Sequence, residues 1–488
     1  MERAQHSIRQ STAPGSLAAL ALASALPLLC ALCPAQAPNP NSAANPFFGS
    51  VTTQLASDEL LRLSLDDAIA LGLKNNLGLK EAENGEKALL GQKNEALQNF
   101  LPTISLQGDL GVHQQNLVAM GFGPDALAEF SKYFPNLTSF SPITRDDVVD
   151  GQIRYGQMIF SGPVIAGWKA AGAAERVAHF QKMSARGEVV QQVATAYLHA
   201  IAAASEVDNA KAQEAADEKL LHDAHEAHLA GVVANLDELR ARVQLQARQQ
   251  ARIAAQNAYE KDLILLKREI GIDPGQRVAL SDQAPYSDLA AQTLVELRAL
   301  AYRSRQDYQT LQNQAVEAKA VHAAYRSQRL PSLSFGGYYG VSQVSGVGSH
   351  GNFAAVGTLS LPVFREGRLR GDAEAAQAQL DAVRAQLDDL HGRIDFQVRS
   401  ALLDVTATAK LVEVARSSVD LAARALSDEG DRVSAGVDDN LPLVTAQATL
   451  ASAESNLVES LYQYNLAKLA LARAAGVIEQ QYRSYLGR

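Results

Sequence analysis

The sequence predicts a mainly α-helical fold with β-strands of membrane-crossing length, built by internal duplication. Three observations predict it. Landmarks recur at two fixed offsets, strictly alternating segments follow each of two Leu-Pro steps, and the helical stretches are far too long for a compact core. Leu65-Asp-Asp-Ala68 and Leu294-Val-Glu-Leu297 open matching helical segments, and Leu101-Pro102 and Leu330-Pro331 close them, both pairs separated by one and the same interval. Gly162 and Gly367, Gly231 and Gly436, and Gly271 and Gly476 share a second, shorter interval. The shortfall between the two intervals lies between the strands of each copy, where a loop absorbs it.

The elements follow in order. Arg3 and Arg9 precede an apolar run from Leu17 to Leu32, and residues 1–37 read as a signal peptide. Cleavage after Ala35 and after Ala37 both fit the small-x-small rule. Cys30 and Cys33, the two cysteines of the chain, lie in this leader, each preceded by leucine rather than the small residue a lipid-acceptor site needs. Without cysteine, the mature chain has neither disulfides nor thiol chemistry. Residues 38–60 are rich in Pro, Asn, Ser and Ala and are expected to be an extended linker.

The first repeat spans 61–271. A helix is expected from Leu61 to Phe100, ended by Pro102. Ile104, Leu106, Leu110 and Val112 then alternate with Thr103, Ser105, Gln107 and Asp109. After a loop over about 114–146, a return strand near 148–160 sets Val149, Ile153, Tyr155 and Ile159 against Asp150, Gln152 and Arg154. Val164 to Leu229 contains no proline and would make a helix roughly 100 Å long. Gly231 breaks it, Asn235 and Glu238 have the spacing of a capping box, and a second helix returns to Ile270.

A linker over 272–292 leads to the second repeat, 293–477, and the chain closes with a short tail at 478–488. The order recurs there: helix 293–329, strand 332–342, strand 353–364, helix about 368–435, turn at Gly436, helix about 441–475. Leu333, Phe335, Tyr339 and Val341 repeat the apolar alternation. Leu443, Leu450, Leu457, Tyr464 and Leu471 fall seven apart, with Ala446, Ala453, Ser460, Ala467 and Ala474 three residues on. Such a seam implies left-handed coiled-coil packing with close helix approach.

Composition excludes several functions. Net charge −9 with scattered Lys and Arg gives no basic stripe for nucleic acid. No Gly-rich phosphate loop, nucleophile elbow or paired-carboxylate arrangement stands out, so neither an enzyme nor a cofactor is expected. His222, His225 and His228 share a helix face, but a solvated face is the simpler reading than a metal site, and no metal is expected. No uncharged apolar stretch of membrane-helix length follows the leader.

Each strand segment has about the 9–11 residues that a tilted strand needs to cross a bilayer. Alternation fits either a soluble sheet or a membrane barrel with its apolar face toward lipid. Four strands cannot close a barrel, and an edge in lipid must be paired, so chains would have to pool strands. A periplasmic coiled-coil adaptor or structural protein without a pore is the competing reading.

The ordered set Leu65-Asp-Asp-Ala-Ile-Ala-Leu-Gly-Leu-Lys-Asn-Asn76, Leu101-Pro102, Ile159-Phe160-Ser-Gly162 and Leu229-Ala-Gly-Val232, repeated as Leu330-Pro331, Val363-Phe364-Arg-Glu-Gly367 and Ser434-Ala-Gly-Val437, resembles the TolC-like outer-membrane efflux factor family. It runs from about Leu63 to Val477. The resemblance implies a homotrimer with one shared twelve-stranded outer-membrane β-barrel, embedded in outer-membrane lipid and continued by a periplasmic α-helical barrel. It implies passive conduction, with a periplasmic adaptor and an inner-membrane pump as partners. Thr103, Ser105, Gln107, Asp109, Asp150, Gln152 and Arg154 would then face the barrel lumen. The hairpin tips at Gly231, Val232, Asn235 and Asp237 and at Gly436, Val437, Asp438, Asp439 and Asn440 would form the gate and the adaptor contact. The second tip departs from the family pattern: its acids, Asp438 and Asp439, come early, and Pro442 sits in the helix start.

Overall fold

The structure, a computed structural model, describes residues 42–487 except 43, 53–55, 122, 124, 126–127, 130–131, 134–142, 232–233, 283–286, 291, 345–347 and 436–439. A short strand β1 (Leu61–Leu63) leads into α1 (Leu65–Asn75) and α2 (Leu77–Gln98). Strands β2 (Thr103–Asn116) and β3 (Ile143–Phe160) follow, then the hairpin of α3 (Gly162–Leu229) and α4 (Asn235–Ile270). After β4 (Val278–Leu280) the order repeats as α5 (Leu294–Ser304), α6 (Gln306–Ser327), β5 (Ser332–Val344), β6 (His350–Ser360), α7 (Glu366–Ser434) and α8 (Asn440–Ala474), closed by α9 (Ile478–Leu486).

The duplication is plainest at the helix starts. Ser64 caps α1 and Thr293 caps α5, each in a reciprocal box with the acid three residues on, Asp67 and Glu296. Replacing Ser64 with alanine leaves an orphan N–H at the start of α1, and about 1 kcal/mol of stability should be lost. A Ser64→Thr control, which keeps the hydroxyl, should melt close to the parent; equal losses in both variants would show that the cap contributes nothing.

Each repeat's opening helix is broken where the sequence led us to expect continuity. Asn76 and Arg305, at equivalent positions of the two repeats, hold extended ψ values of 133° and 123° between the paired helices. Local caps and long-range bonds combine at each break. Asn76 accepts from the Leu79 N–H and donates Nδ2 to the Phe47 carbonyl at 2.7 Å. Arg305 grips Asp307 bidentately at 3.0 and 2.6 Å and donates to Gln397 at 2.7 Å and to the Ala474 carbonyl at 3.3 Å. Neither break carries a proline or glycine.

Three further segments differ from the sequence reading. Residues 61–63 are not helical but pair in parallel with 278–280, joining the stretch before the first repeat's helix to the inter-repeat linker. Within 38–60, Pro46–Phe48 forms a 3₁₀ turn, and the chain beyond it packs on α1 and α4, with Val51 N–H donating to the Asn75 carbonyl and Arg268 to the Ser50 carbonyl. The closing stretch 478–488 contains α9, whose Ile478, Tyr482, Tyr485 and Leu486 are buried.

The four long strands make one antiparallel sheet in the order β2-β3-β5-β6, so the two repeats meet at β3 and β5. The helices leave this sheet in two hairpins whose first arms, α3 and α7, run 68 and 69 residues, roughly 100 Å each. The main core is an equatorial belt. Val189, Val193 and Tyr197 of α3 pack there with Leu266 and Ile270 of α4, Leu390, Ile394 and Val398 of α7, Leu471 of α8 and Leu486 of α9. Tyr197 ties three segments together, its hydroxyl lying within hydrogen-bond distance of both the Leu63 carbonyl (2.9 Å) and Asp282 (2.8 Å) and donating its one proton between them. In the α8 seam, Tyr464, Ala467, Leu471 and Ala474 are buried, as the heptad reading expects.

Candidate functional site

The sheet has two chemically different faces, and the strand register fixes them. Leu106 stands opposite Ile153, Ile153 opposite Tyr339, and Tyr339 opposite Phe353. These four side chains form one row and are 82%, 54%, 66% and 77% exposed. Leaving large apolar side chains in water forgoes about 1.5–3 kcal/mol each, so this face is built for an apolar surrounding.

The opposite face carries polar rows. Asp109 pairs with Asp150, Asp150 with Ser342, and Ser342 with His350. In the next row Gln107 pairs with Gln152, Gln152 with Gly340 and Gly340 with Asn352, and in the row beyond it Ser105 pairs with Arg154 and Arg154 with Tyr338. Thr103 lies opposite Gly156 at the end of the same face. The register thus brings all seven polar strand residues singled out from the sequence to one side. The second repeat's share, Ser342, His350 and Asn352, was not singled out: alternation along 332–342 carried the signal for Ser342, whereas His350 and Asn352 precede the expected strand 353–364, because β6 starts at His350. Arg154 Nε donates to Gln152 at 3.2 Å, and Asn352 Nδ2 to Ser342 Oγ at 2.6 Å.

Both strands of the first pair extend beyond the sequence expectation, reaching Asn116 and starting at Ile143. In the second repeat the sheet ends at Ser360 rather than near 364, because the chain leaves it before Pro362. At the start of α3, Trp168 packs edge-on against Phe100, with ring centroids 6.2 Å apart.

At the other end of the helices, the first hairpin turns at Gly231, which adopts φ +74°. The capping box expected at Asn235 does not form: Ala234 is the N-cap without a side-chain bond, and Asn235 is the first helical residue. Glu238 is engaged elsewhere, held by Arg242 at 2.8 Å and by His225 of the opposing arm at 3.2 Å. Asp237 pairs with Arg240 at 3.1 Å. Val232, Gly436, Val437, Asp438 and Asp439 lie outside the described residues; Asn440 opens α8, and its side chain is likewise outside the description.

The two hairpins touch near these tips. Leu220, Ala224 and Ala241 of the first form a small buried cluster that Leu443 and Val444 of the second cover. One step further from the tip, Asp217 is buried and meets Arg248 at 3.3 Å. Burial pushes its carboxyl above the ordinary range, and the neighbouring guanidinium opposes that shift. These residues line a cavity of about 130 Å³ between the hairpins, with Gln447, Leu450 and Glu454 on its other wall. Among the described residues no group of His, Cys, Asp or Glu could hold a metal ion, and no helix is long and apolar enough to cross a membrane.

A duplicated chain with one two-faced sheet and paired hairpins of this length defines a class: the outer-membrane ducts that combine membrane strands with a helical tunnel. The chain belongs to the outer membrane efflux protein family, whose model matches residues 68–271 and 297–477. It is 22% identical to the outer membrane protein TolC of Escherichia coli over 331 residues, covering 64% of this chain and 67% of TolC. It is 24% identical to the alkaline protease secretion protein AprF of Pseudomonas aeruginosa, covering 60% of this chain and 62% of AprF. The alignments thus span about two thirds of these relatives' length. In fold it matches the Campylobacter jejuni CmeC outer membrane channel, with a TM-score of 0.70 and 15% identity over 89% of this chain and 92% of that one. It also matches the outer membrane protein VceC of Vibrio cholerae, with a TM-score of 0.69 and 18% identity over 84% and 96%. This membership overturns the reading of a pore-less periplasmic adaptor or structural protein.

Proposed function

We propose that three copies of this chain assemble into an outer-membrane exit duct for an efflux or secretion system, with the four-stranded sheets pooled into one twelve-stranded barrel. The carrying observation is the sheet. Its apolar face is exposed, and among the described residues nothing pairs with the outer edges of β2 and β6. In lipid an unpaired edge costs several kcal/mol per backbone group, so the edges of neighbouring copies must meet. The polar face, with Thr103, Ser105, Gln107, Asp109, Asp150, Gln152 and Arg154, then lines the lumen.

The helices support the same assembly. Along α7, Phe396, Leu403, Leu411, Val414 and Leu421 are 57–71% exposed at near-heptad spacing. On α4, Leu236, Leu239, Val243, Ile253 and Ile264 are 46–66% exposed. Since α3 and α8 pack within one chain, these stripes are free to seal α4 of one copy against α7 of the next. The tips at Gly231, Asn235 and Asp237, with Gly436, Asp438, Asp439 and Asn440, form the periplasmic entrance and the contact for an adaptor. That adaptor joins the duct to an inner-membrane pump supplying the energy, and conduction through the duct is passive; this part rests on the family resemblance.

The native mass of the detergent-extracted protein tests the assembly. Three chains per particle are expected. A stable monomer would leave four strands with open edges, and the barrel would have to be abandoned.

A further inference from the structure

We infer that the junction between β6 and α7 is a binding surface for anionic phospholipid headgroups of the membrane's periplasmic leaflet. The inference rests on the barrel reading above and adds a specific lipid contact to it. Exposed apolar side chains continue past the end of β6: Leu359 is 71% exposed, and Val363 and Phe364, beyond the last paired residue, are 89% and 96% exposed. A phenylalanine left almost fully open beside a lipid-facing strand has the chemistry of the acyl–headgroup boundary.

Basic residues follow at once. Arg365, Arg368 and Arg370 succeed Phe364 within six residues, and Arg329, at the end of the preceding helix, joins them through Glu366 at 2.8 Å. Two carboxylates answer these four guanidinium groups. Glu366 is shared between Arg329 and Arg370, the latter at 3.8 Å, and Asp372 stands 3.7 Å from Arg368. The side chains of Arg368 and Arg370 remain 80% and 68% exposed, so their donors are open to a phosphate. The α7 N-terminus carries no side-chain cap, and its dipole adds to the positive potential at the same spot.

The first repeat supplies an internal control. Its junction, Ile159-Phe160-Ser161-Gly162, keeps the aromatic residue, but no charged residue follows before Lys169. The basic patch is therefore not a requirement of turning from strand to long helix. The run of exposed apolar side chains beside the sheet, together with charge complementarity, favours a phospholipid surface. A second copy of the chain would have to bury several arginines that share only two counter-charges.

The test is titration of the purified, detergent-solubilised full-length protein with phosphatidylglycerol or phosphatidylcholine, read by native mass spectrometry. The parent is expected to retain phosphatidylglycerol preferentially. Each arginine at an anionic surface is worth roughly five-fold in partitioning, so R365Q/R368Q/R370Q, which removes three, should weaken phosphatidylglycerol binding by roughly a hundred-fold. Its phosphatidylcholine binding and assembled mass should stay at the parent's level. Phe364→Ala should weaken both lipids alike. Unchanged phosphatidylglycerol affinity in the triple variant would overturn the inference. So would a triple variant that falls apart in either lipid, since the arginines would then be contacts between copies. A parent that fails to insert into phosphatidylcholine vesicles would instead sink the barrel reading itself.

Discussion

Gly476→Ala should destabilise the protein by about 3 kcal/mol or more, far beyond the effect of the same change at Gly231, although both glycines adopt left-handed backbone at φ +77° and +74°. The left-handed conformation alone costs an alanine roughly 1–2 kcal/mol. At Gly231 that is the whole cost, because nothing lies within 4 Å of an added Cβ. At Gly476 the Cβ would stand 2.7 Å from the Arg305 nitrogen, 2.8 Å from its Cα and 2.8 Å from the Ser304 carbonyl carbon. All three are backbone atoms, so no side chain can rotate away. The collision falls on the break between α5 and α6, whose Arg305 reaches Asp307, Gln397 and the Ala474 carbonyl. A shift there loosens the C-terminal end of α8 together with the start of α6. Heat-induced unfolding of the two variants beside the parent checks this: if Gly476→Ala melts no lower than Gly231→Ala, the close approach is not structurally binding.

The same positions show which features a sequence can display. Gly271 and Gly476 were visible as turn glycines because they end long periodic segments at equivalent places in the two repeats, and both sit at positive φ. The two faces of the sheet were visible because side chains on a strand alternate with period two, so each residue's face follows from its number. The helix breaks were not visible. Arg305 is an ordinary helix former, held out of helix by bonds to Gln397 and the Ala474 carbonyl far along the chain. Asn76 is a residue type suited to an N-cap and caps α2 locally through the Leu79 N–H, but its bond to the Phe47 carbonyl is distant in sequence. The pairing of Leu61–Leu63 with Val278–Leu280 escaped for a related reason: three residues are too few to show a period, and the partner lies in the distant linker between the repeats. At the tip, the Asn235 and Glu238 spacing suggested a local cap, while Glu238 is drawn across the hairpin to His225. Local periodicity is written in the chain, whereas competition from tertiary partners is not.

Glu269→Gln should stabilise the protein above neutral pH and lose that advantage in acid. Glu269 sits at the end of α4, 3% exposed, with Oε1 accepting from Gln192 Nε2 at 3.2 Å. Its Oε2 is buried with no hydrogen-bond partner among the described residues. Burial without a counter-charge pushes the carboxyl up to about 7 from its ordinary 4.5. Between these values the folded state holds a proton that the unfolded state has released, so stability falls as pH rises through the window and levels off above about 7. The difference corresponds to about 3 kcal/mol of destabilisation by the ionised form. Glutamine keeps an acceptor for Gln192 and has no charge to bury. The melting temperature of Glu269→Gln should therefore exceed the parent's by several degrees at pH 8, with the gap closing as pH falls toward 4.5. A gap of the same size at both pH values would mean that shape rather than charge separates the variants. No gap at pH 8 would mean that the ionised carboxylate finds a partner in the assembled protein. The Ser50 hydroxyl donates to the Glu269 carbonyl, so a rearrangement at Glu269 is felt by the N-terminal segment that packs there. The parent should accordingly release that segment to protease more readily at pH 8 than at pH 5, and the glutamine variant should not.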